Sequence, residues 1–102
     1  MIEFEVDVPG KVDLSASDSI IEECCVSEGL RITMKDTLVK HPGSVHWHLK
    51  KGTERGTLEI TLVAKERRIW FSVQAGRRGS WIEESINRLK PAIEKKLRAA
   101  GL

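Results

Sequence analysis

The feature that most constrains this chain lies between Ser44 and Ala75. Three apolar–polar alternations follow one another there. Val45, Trp47 and Leu49 alternate with His46, His48 and Lys50; Leu58, Ile60 and Leu62 alternate with Thr57, Glu59 and Thr61; Ile69, Phe71 and Val73 alternate with Arg68, Trp70, Ser72 and Gln74. A period of two is the repeat of a β-strand whose two faces meet different surroundings. The connections, Gly52 to Arg55 and Ala64 to Arg67, are short enough to force antiparallel hairpins. Matching apolar to apolar faces leaves one register, because a slip of one residue turns every side chain over. That register sets Leu49 beside Leu58 and Ile60 beside Phe71. On the other face it sets His48 beside Glu59 beside Ser72, and His46 beside Thr61 beside Trp70.

The flanking segments supply what such a meander needs. Ile2, Phe4, Val6 and Val8 alternate with acids, predicting a first strand that Pro9-Gly10 ends. Within Ser15 to Leu30, Ser19 and Glu22 are spaced as a capping box. They predict a short helix with Ile20 or Ile21, Cys24 and Val26 facing inward and Gly29 as its stop. Leu30, Ile32 and Met34 alternate with Arg31, Thr33 and Lys35 in a further strand, which loosens around Asp36-Thr37, and His41-Pro42-Gly43 makes a turn. At the end, Ser80 and Glu83 again fit a capping box, and Ile82, Ile86, Leu89, Ile93 and Leu97 share one helical face. Pro91 inside that pattern predicts a kink or break near Lys90.

The expected fold is a single α+β domain over residues 1–102. It is two-layered: a five-stranded, mostly antiparallel sheet with two helices on one face, in the order β-α-β-β-β-β-α. This order resembles one repeat of the TATA-box-binding protein fold and, more loosely, the helix-grip folds. The resemblance is one of element order and implies a fold only, so no functional residue follows from it.

Charge is unevenly spread. Residues 1–29 carry eight acids against Lys11 alone, whereas the remainder is strongly basic, and the whole chain nets +2. Internal pairing of the two halves is the expectation, which leaves no bulk electrostatic case for nucleic acid or an anionic membrane. The two cysteines, Cys24 and Cys25, are adjacent and cannot close an unstrained disulfide. No basic residue or histidine is near them in sequence, so helix packing is expected of them rather than a reactive thiol. No CxxC pair, bilayer-length apolar run or signal-peptide pattern is present, which points to a reducing, cytoplasmic setting with no membrane association.

Two helices cover one face of a sheet, so the other is expected to stand open with His46, His48, Glu59, Arg68 and Trp70 upon it. Large aromatics and histidines there predict binding of a partner protein, a second copy of the chain in a homodimer, or a small ligand. A second reading is a metal-dependent enzyme. His46 and His48 point the same way, two apart on a strand, and with Glu59 opposite they offer two imidazoles and a carboxylate for zinc or non-haem iron. Lys50 and Arg68 on the same face count against a cation, so no cofactor is assigned. A third reading is a phosphate or nucleic-acid site using Arg68 with Arg77, Arg78 and Ser80, the last three in a glycine-flanked loop before a helix. Glu83 and Glu84 in that first turn, and the acidic row Glu3, Glu5 and Asp7 on the outer face, speak against phosphate and nucleic acid. No glycine-flanked nucleophile or dinucleotide fingerprint is present, so the leading expectation is a non-catalytic binding domain.

Overall fold

Five strands and two helices build the chain in the computed structural model, which describes residues 2–101, the side chain of Arg77 excepted. The strands are β1 (Ile2–Val6), β2 (Arg31–Asp36), β3 (Val45–Lys50), β4 (Leu58–Val63) and β5 (Arg68–Val73); the helices are α1 (Asp18–Ser27) and α2 (Ser80–Ala100). Short 3₁₀ turns at Leu14–Ala16, Ala64–Glu66 and Ala75–Arg77 join them. The sheet order is β1-β5-β4-β3-β2 and every neighbouring pair is antiparallel. The expected two-layer α+β architecture and its element order are present. No helix among the described residues is long and apolar enough to cross a membrane.

The central register follows the parity of the sequence. Leu49 faces Leu58 and Ile60 faces Phe71, so the inner sides of β3, β4 and β5 form one apolar surface. Trp47, Leu49, Ile60 and Phe71 are fully buried there beneath Ile21 and Cys25 of α1 and Ile86, Leu89, Ile93 and Leu97 of α2. Burial of such side chains supplies the main driving force, about 1.5–3 kcal/mol for each large one.

Two helix starts differ from expectation. The helix α1 begins upstream of the Ser19 capping box, with Ser17 as its N-cap. Asp13 caps the preceding turn through Ser15 N at 3.0 Å, and the Ser17 hydroxyl donates to the Asp13 carbonyl at 2.8 Å. That turn runs straight into the helix and fixes its start. Ile21, Cys24 and Cys25 consequently face inward, while Val26 is exposed. The helix α2 uses Gly79 as N-cap, and no Ser80 side chain caps it. Here the loop between β3 and β4 docks on the helix start: the Trp81 indole donates to the Arg55 carbonyl at 2.7 Å. A Cβ on Gly79 would lie 1.9 Å from that same oxygen, so only glycine admits the approach.

The helix α2 also continues unbroken through Pro91. Proline frees the carbonyl four residues earlier, on Asn87, and both residues lie on the exposed side of the helix, where a freed carbonyl is not cut off from solvent.

The strand β2 carries a β-bulge. Ile32 faces Leu49, but Met34 faces His48, so one extra residue, Thr33, lies between them. Met34, expected to share the face of Ile32, is thereby moved to the outer side. Thr33 Oγ1 donates to the His48 carbonyl at 3.2 Å beside the bulge.

The charge halves pair internally. Lys35 bridges Asp18 and Glu22 at 3.4 and 2.7 Å, Arg88 meets Glu28 at 2.6 Å, and Lys96 meets Glu23 at 3.4 Å. Arg68 pairs with Glu5, and Lys90 joins Glu94 and Asp7. Glu22 also accepts the Trp47 indole N–H at 2.9 Å, tying α1 to β3. The Lys35 hydrogen bond, against the opposing effect of burial and with help from Trp47, holds the Glu22 carboxyl below its usual range. Burial raises the Glu94 carboxyl, but Lys90, the Asp7 amide and Arg98 together outweigh it and leave it lowered.

Two expectations follow from this packing. Gly79→Ala should lose about 1–3 kcal/mol of stability, as overpacking against rigid backbone does, measured by urea denaturation. Depressed carboxyl groups stabilise the fold above their unfolded pKa and cease to do so as pH falls through the folded value. Stability should therefore hold steady from neutrality down to the usual glutamate value of 4.5 and then fall, with Glu22→Gln showing a shallower fall.

Candidate functional site

The outer face of the sheet carries no helix, yet it is not open. His46, Thr57, Glu59, Thr61, Trp70 and Ser72 are all buried, with Trp70 only 7% and Glu59 only 3% exposed. The expectation of an exposed face is corrected here, and the cause is a covering built from the face's own side chains and one loop. The Arg68 guanidinium lies 4.2 Å above the Trp70 ring, held there by Glu5 across the strand pair. His41 meets the other part of Trp70 edge-on at 6.3 Å. The segment between β2 and β3 turns back over the sheet: the Ser44 hydroxyl accepts from Leu38 N at 3.1 Å, and His41 N donates to the Leu38 carbonyl at 3.0 Å. Leu38 thereby joins Met34 above the face. What remains is a cleft of about 470 Å³, with Trp70, Met34 and Leu38 along its sides and the histidines, Glu59 and Thr61 at its floor.

The floor has the geometry that the register demands. His46 pairs with Thr61, His48 with Glu59, and Glu59 with Ser72. His46 Nε2 lies 3.0 Å from Glu59 Oε1, and His46 Nδ1 lies 2.8 Å from Thr61 Oγ1. His48 Nε2 approaches the same Oε1 at 3.7 Å, and the two imidazoles stand edge to face with centroids 5.1 Å apart. Gln74 Nε2 donates to Oε1 from the rim at 3.5 Å. One ligand atom from each of His46, His48 and Glu59 falls within 4.8 Å of the others, a donor set able to hold a metal ion. The chemistry available is therefore hydrogen bonding from either imidazole, proton exchange within the His–Glu–His group, and ligation.

The remaining candidates are dispersed. Arg68 is engaged by Glu5, which raises its already high pKa, chiefly through the hydrogen bond. Arg78 lies beyond the other end of β5, lining a small pocket of about 150 Å³ with Ile2, Phe4 and Ile82. The strand β5 alone spans roughly 17 Å from Arg68 to Val73, and the turn Ala75–Arg77 follows before Arg78. Ser80 is exposed at the start of α2. The side chain of Arg77 lies outside the described residues. Lys50 faces Arg31 at the end of β3, two residues beyond His48 on the same side of the strand, and does not line the cleft. Sequence parity missed Met34, Leu38 and His41. The signal for Met34 was present only as the β-branched, hydrogen-bonding Thr33 at the bulge, and that for the loop only as the His-Pro-Gly turn.

The adjacent cysteines are buried in α1 against the sheet. Burial pushes the Cys25 thiol up to about 12 and raises Cys24 as well. Thiols held protonated and covered are poor nucleophiles. Both should react with a thiol-specific disulfide reagent only at the rate of global unfolding. Rapid labelling of the native protein would show instead that α1 opens locally.

No protein-family model, curated protein or solved structure matches the chain.

Proposed function

We propose that this chain is a non-catalytic binding domain that takes a small ligand in the cleft on its outer sheet face. One observation carries the reading: the concavity of about 470 Å³ is lined by the His46–Glu59–His48 group, with His46 and Glu59 buried and His48 partly exposed, and not by apolar residues alone. Small-molecule sites are commonly concave, about 300–1,000 Å³ in volume, and combine apolar sides with a few converging polar groups. Trp70, Met34 and Leu38 offer the apolar sides; His46, His48 and Thr61 offer donors and acceptors at the base. The fitting ligand is compact, with a hydrogen-bonding head at the floor and an apolar or planar body against Trp70.

The same burial argues against a protein partner or homodimer as the use of this face. A protein interface needs a broad exposed patch with aromatic anchors. Trp70 is already covered by Arg68 and His41, which leaves little area for a second chain. Arg68 acts in this reading as the support of the Trp70 ring, not as a ligand contact. Two free, buried thiols agree with the cytoplasm as the site of action.

The reading is tested by amide spectra of the labelled protein in a metal chelator, recorded with a set of small aromatic and heteroaromatic fragments. Shifts should cluster on His46, His48, Glu59, Trp70 and Ser72. Gln74 sits exposed on the rim, so Gln74→Trp should keep the fold, fill the cleft and weaken binding by at least about tenfold, or about 1.4 kcal/mol. Shifts elsewhere on the surface, or shifts that follow protein concentration alone, would count decisively against the cleft.

A further inference from the structure

We infer that the floor of the cleft is a metal site in which His46, His48 and Glu59 hold one divalent first-row transition ion, with its remaining positions open to the cleft. The inference rests on the ligand-cleft reading and gives that cleft its chemistry: a ligand whose head carries a metal-binding oxygen or nitrogen.

The spacing fits an ion. Zinc binds imidazole nitrogen and carboxylate oxygen at about 2.0–2.2 Å, so neighbouring donors in a tetrahedral set lie roughly 3.4 Å apart. The two nitrogen–oxygen separations at Glu59 Oε1, 3.0 Å to His46 Nε2 and 3.7 Å to His48 Nε2, bracket that value. His48 is the more exposed of the two imidazoles, so a turn of its ring closes the set without moving the backbone.

The donor types select the class of metal. Two imidazoles and one carboxylate suit zinc and ferrous iron, whereas calcium and magnesium prefer all-oxygen shells. Three protein donors on a single sheet face leave the other side of the ion uncovered, which is the open arrangement of sites that bind exchangeable ligands.

A partner behind His46 is already in place. Ligating histidines typically donate their second ring N–H to a fixed acceptor, which sets the tautomer and aims the lone pair. Thr61 Oγ1, 2.8 Å from His46 Nδ1 and buried, is such an acceptor. With Nδ1–H given to Thr61, the Nε2 lone pair points at the place where Glu59 and His48 converge. The surroundings also suit a cation. Among the described residues lining the cleft there is no lysine or arginine, while Glu3 adds a second carboxylate at its edge. Arg68, which on sequence grounds opposed a cation, is neutralised by Glu5 and stacked away over Trp70.

The test is a titration of chelator-treated full-length protein with zinc, followed by calorimetry, and with cobalt, followed by visible absorption. One ion per chain should bind, with cobalt bands of a four- or five-coordinate nitrogen–oxygen site. Imidazole nitrogen spectra should show His46 fixed as the Nδ1–H tautomer once zinc is bound. His48→Ala should weaken zinc binding by at least about a hundredfold, and Thr61→Val, which removes only the partner of His46, by about 10–100-fold. Lys95→Ala, exposed on α2 and remote from the cleft, should leave affinity unchanged. Circular dichroism establishes that each variant is folded, and the tautomer measurement on the unaltered chain stands whether or not they are. Absence of saturable binding, or binding indifferent to His48→Ala, overturns the metal site. If fragments still occupy the cleft in chelator while zinc fails to bind, only the metal assignment falls; if neither binds, the cleft reading falls with it.

Discussion

Everything in this fold depends on the alternation of side chains along β3, β4 and β5 and on the single register that the alternation permits. One parity class, from Val45 through Leu58 to Val73, makes a continuous apolar surface that two helices must cover. The other class cannot then be chosen freely. Once Leu49 is opposite Leu58, His48 is opposite Glu59, and once Ile60 is opposite Phe71, Thr61 is opposite Trp70. The core and the cleft are two consequences of the same pairing, so a slip that ruined one would disperse the other.

The long-range electrostatics tie separate elements of the fold together. The acids of the N-terminal segment lie on β1 and α1 or one residue beyond their ends, and the bases that meet them come from β2, β5 and α2. Ion pairs this exposed contribute little individually. Together they set the acidic N-terminal segment against bases from the rest of the chain. The exception in kind is Glu22, where a charged hydrogen bond to Lys35 and an indole N–H from Trp47 meet at one carboxylate. There charge, aromatic packing and helix placement act together.

Much of this was legible in the sequence, and the failures have specific causes. Strand identity, pairing and the meeting of His46, His48, Glu59 and Thr61 follow from a period of two, because that period is a geometric property of the extended chain. Met34 was misplaced because a bulge inserts one residue and reverses parity beyond it, which a periodic reading cannot register. The two capping boxes failed because a helix start is a competition: Asp13 and Ser17 claimed α1 earlier, and the Arg55 carbonyl with Trp81 claimed α2. The burial of the outer face was invisible because it arises from contacts between distant residues. Arg68 on Trp70, His41 against the same ring and Leu38 folded back across the sheet each depend on three-dimensional placement, not on local pattern.

Glu59 is where the economy of the fold and the case for function separate. A carboxylate 3% exposed in the middle strand of a sheet loses most of its hydration, and the imidazoles beside it must recover that loss. Replacing such a buried polar group by apolar residues of similar volume is often neutral or stabilising. The inner face of the same strand shows what the chain uses when only packing is at stake: Leu58, Ile60 and Leu62. On the outer face it sets Glu59 between two histidines, backs one of them with Thr61, adds Met34 through a bulge and folds a loop across the rim. Local choices that disagree with the cheapest way to make a core concentrate where a protein does its work. Here they concentrate on one group of three side chains, and the cleft above that group is where a ligand would reach it.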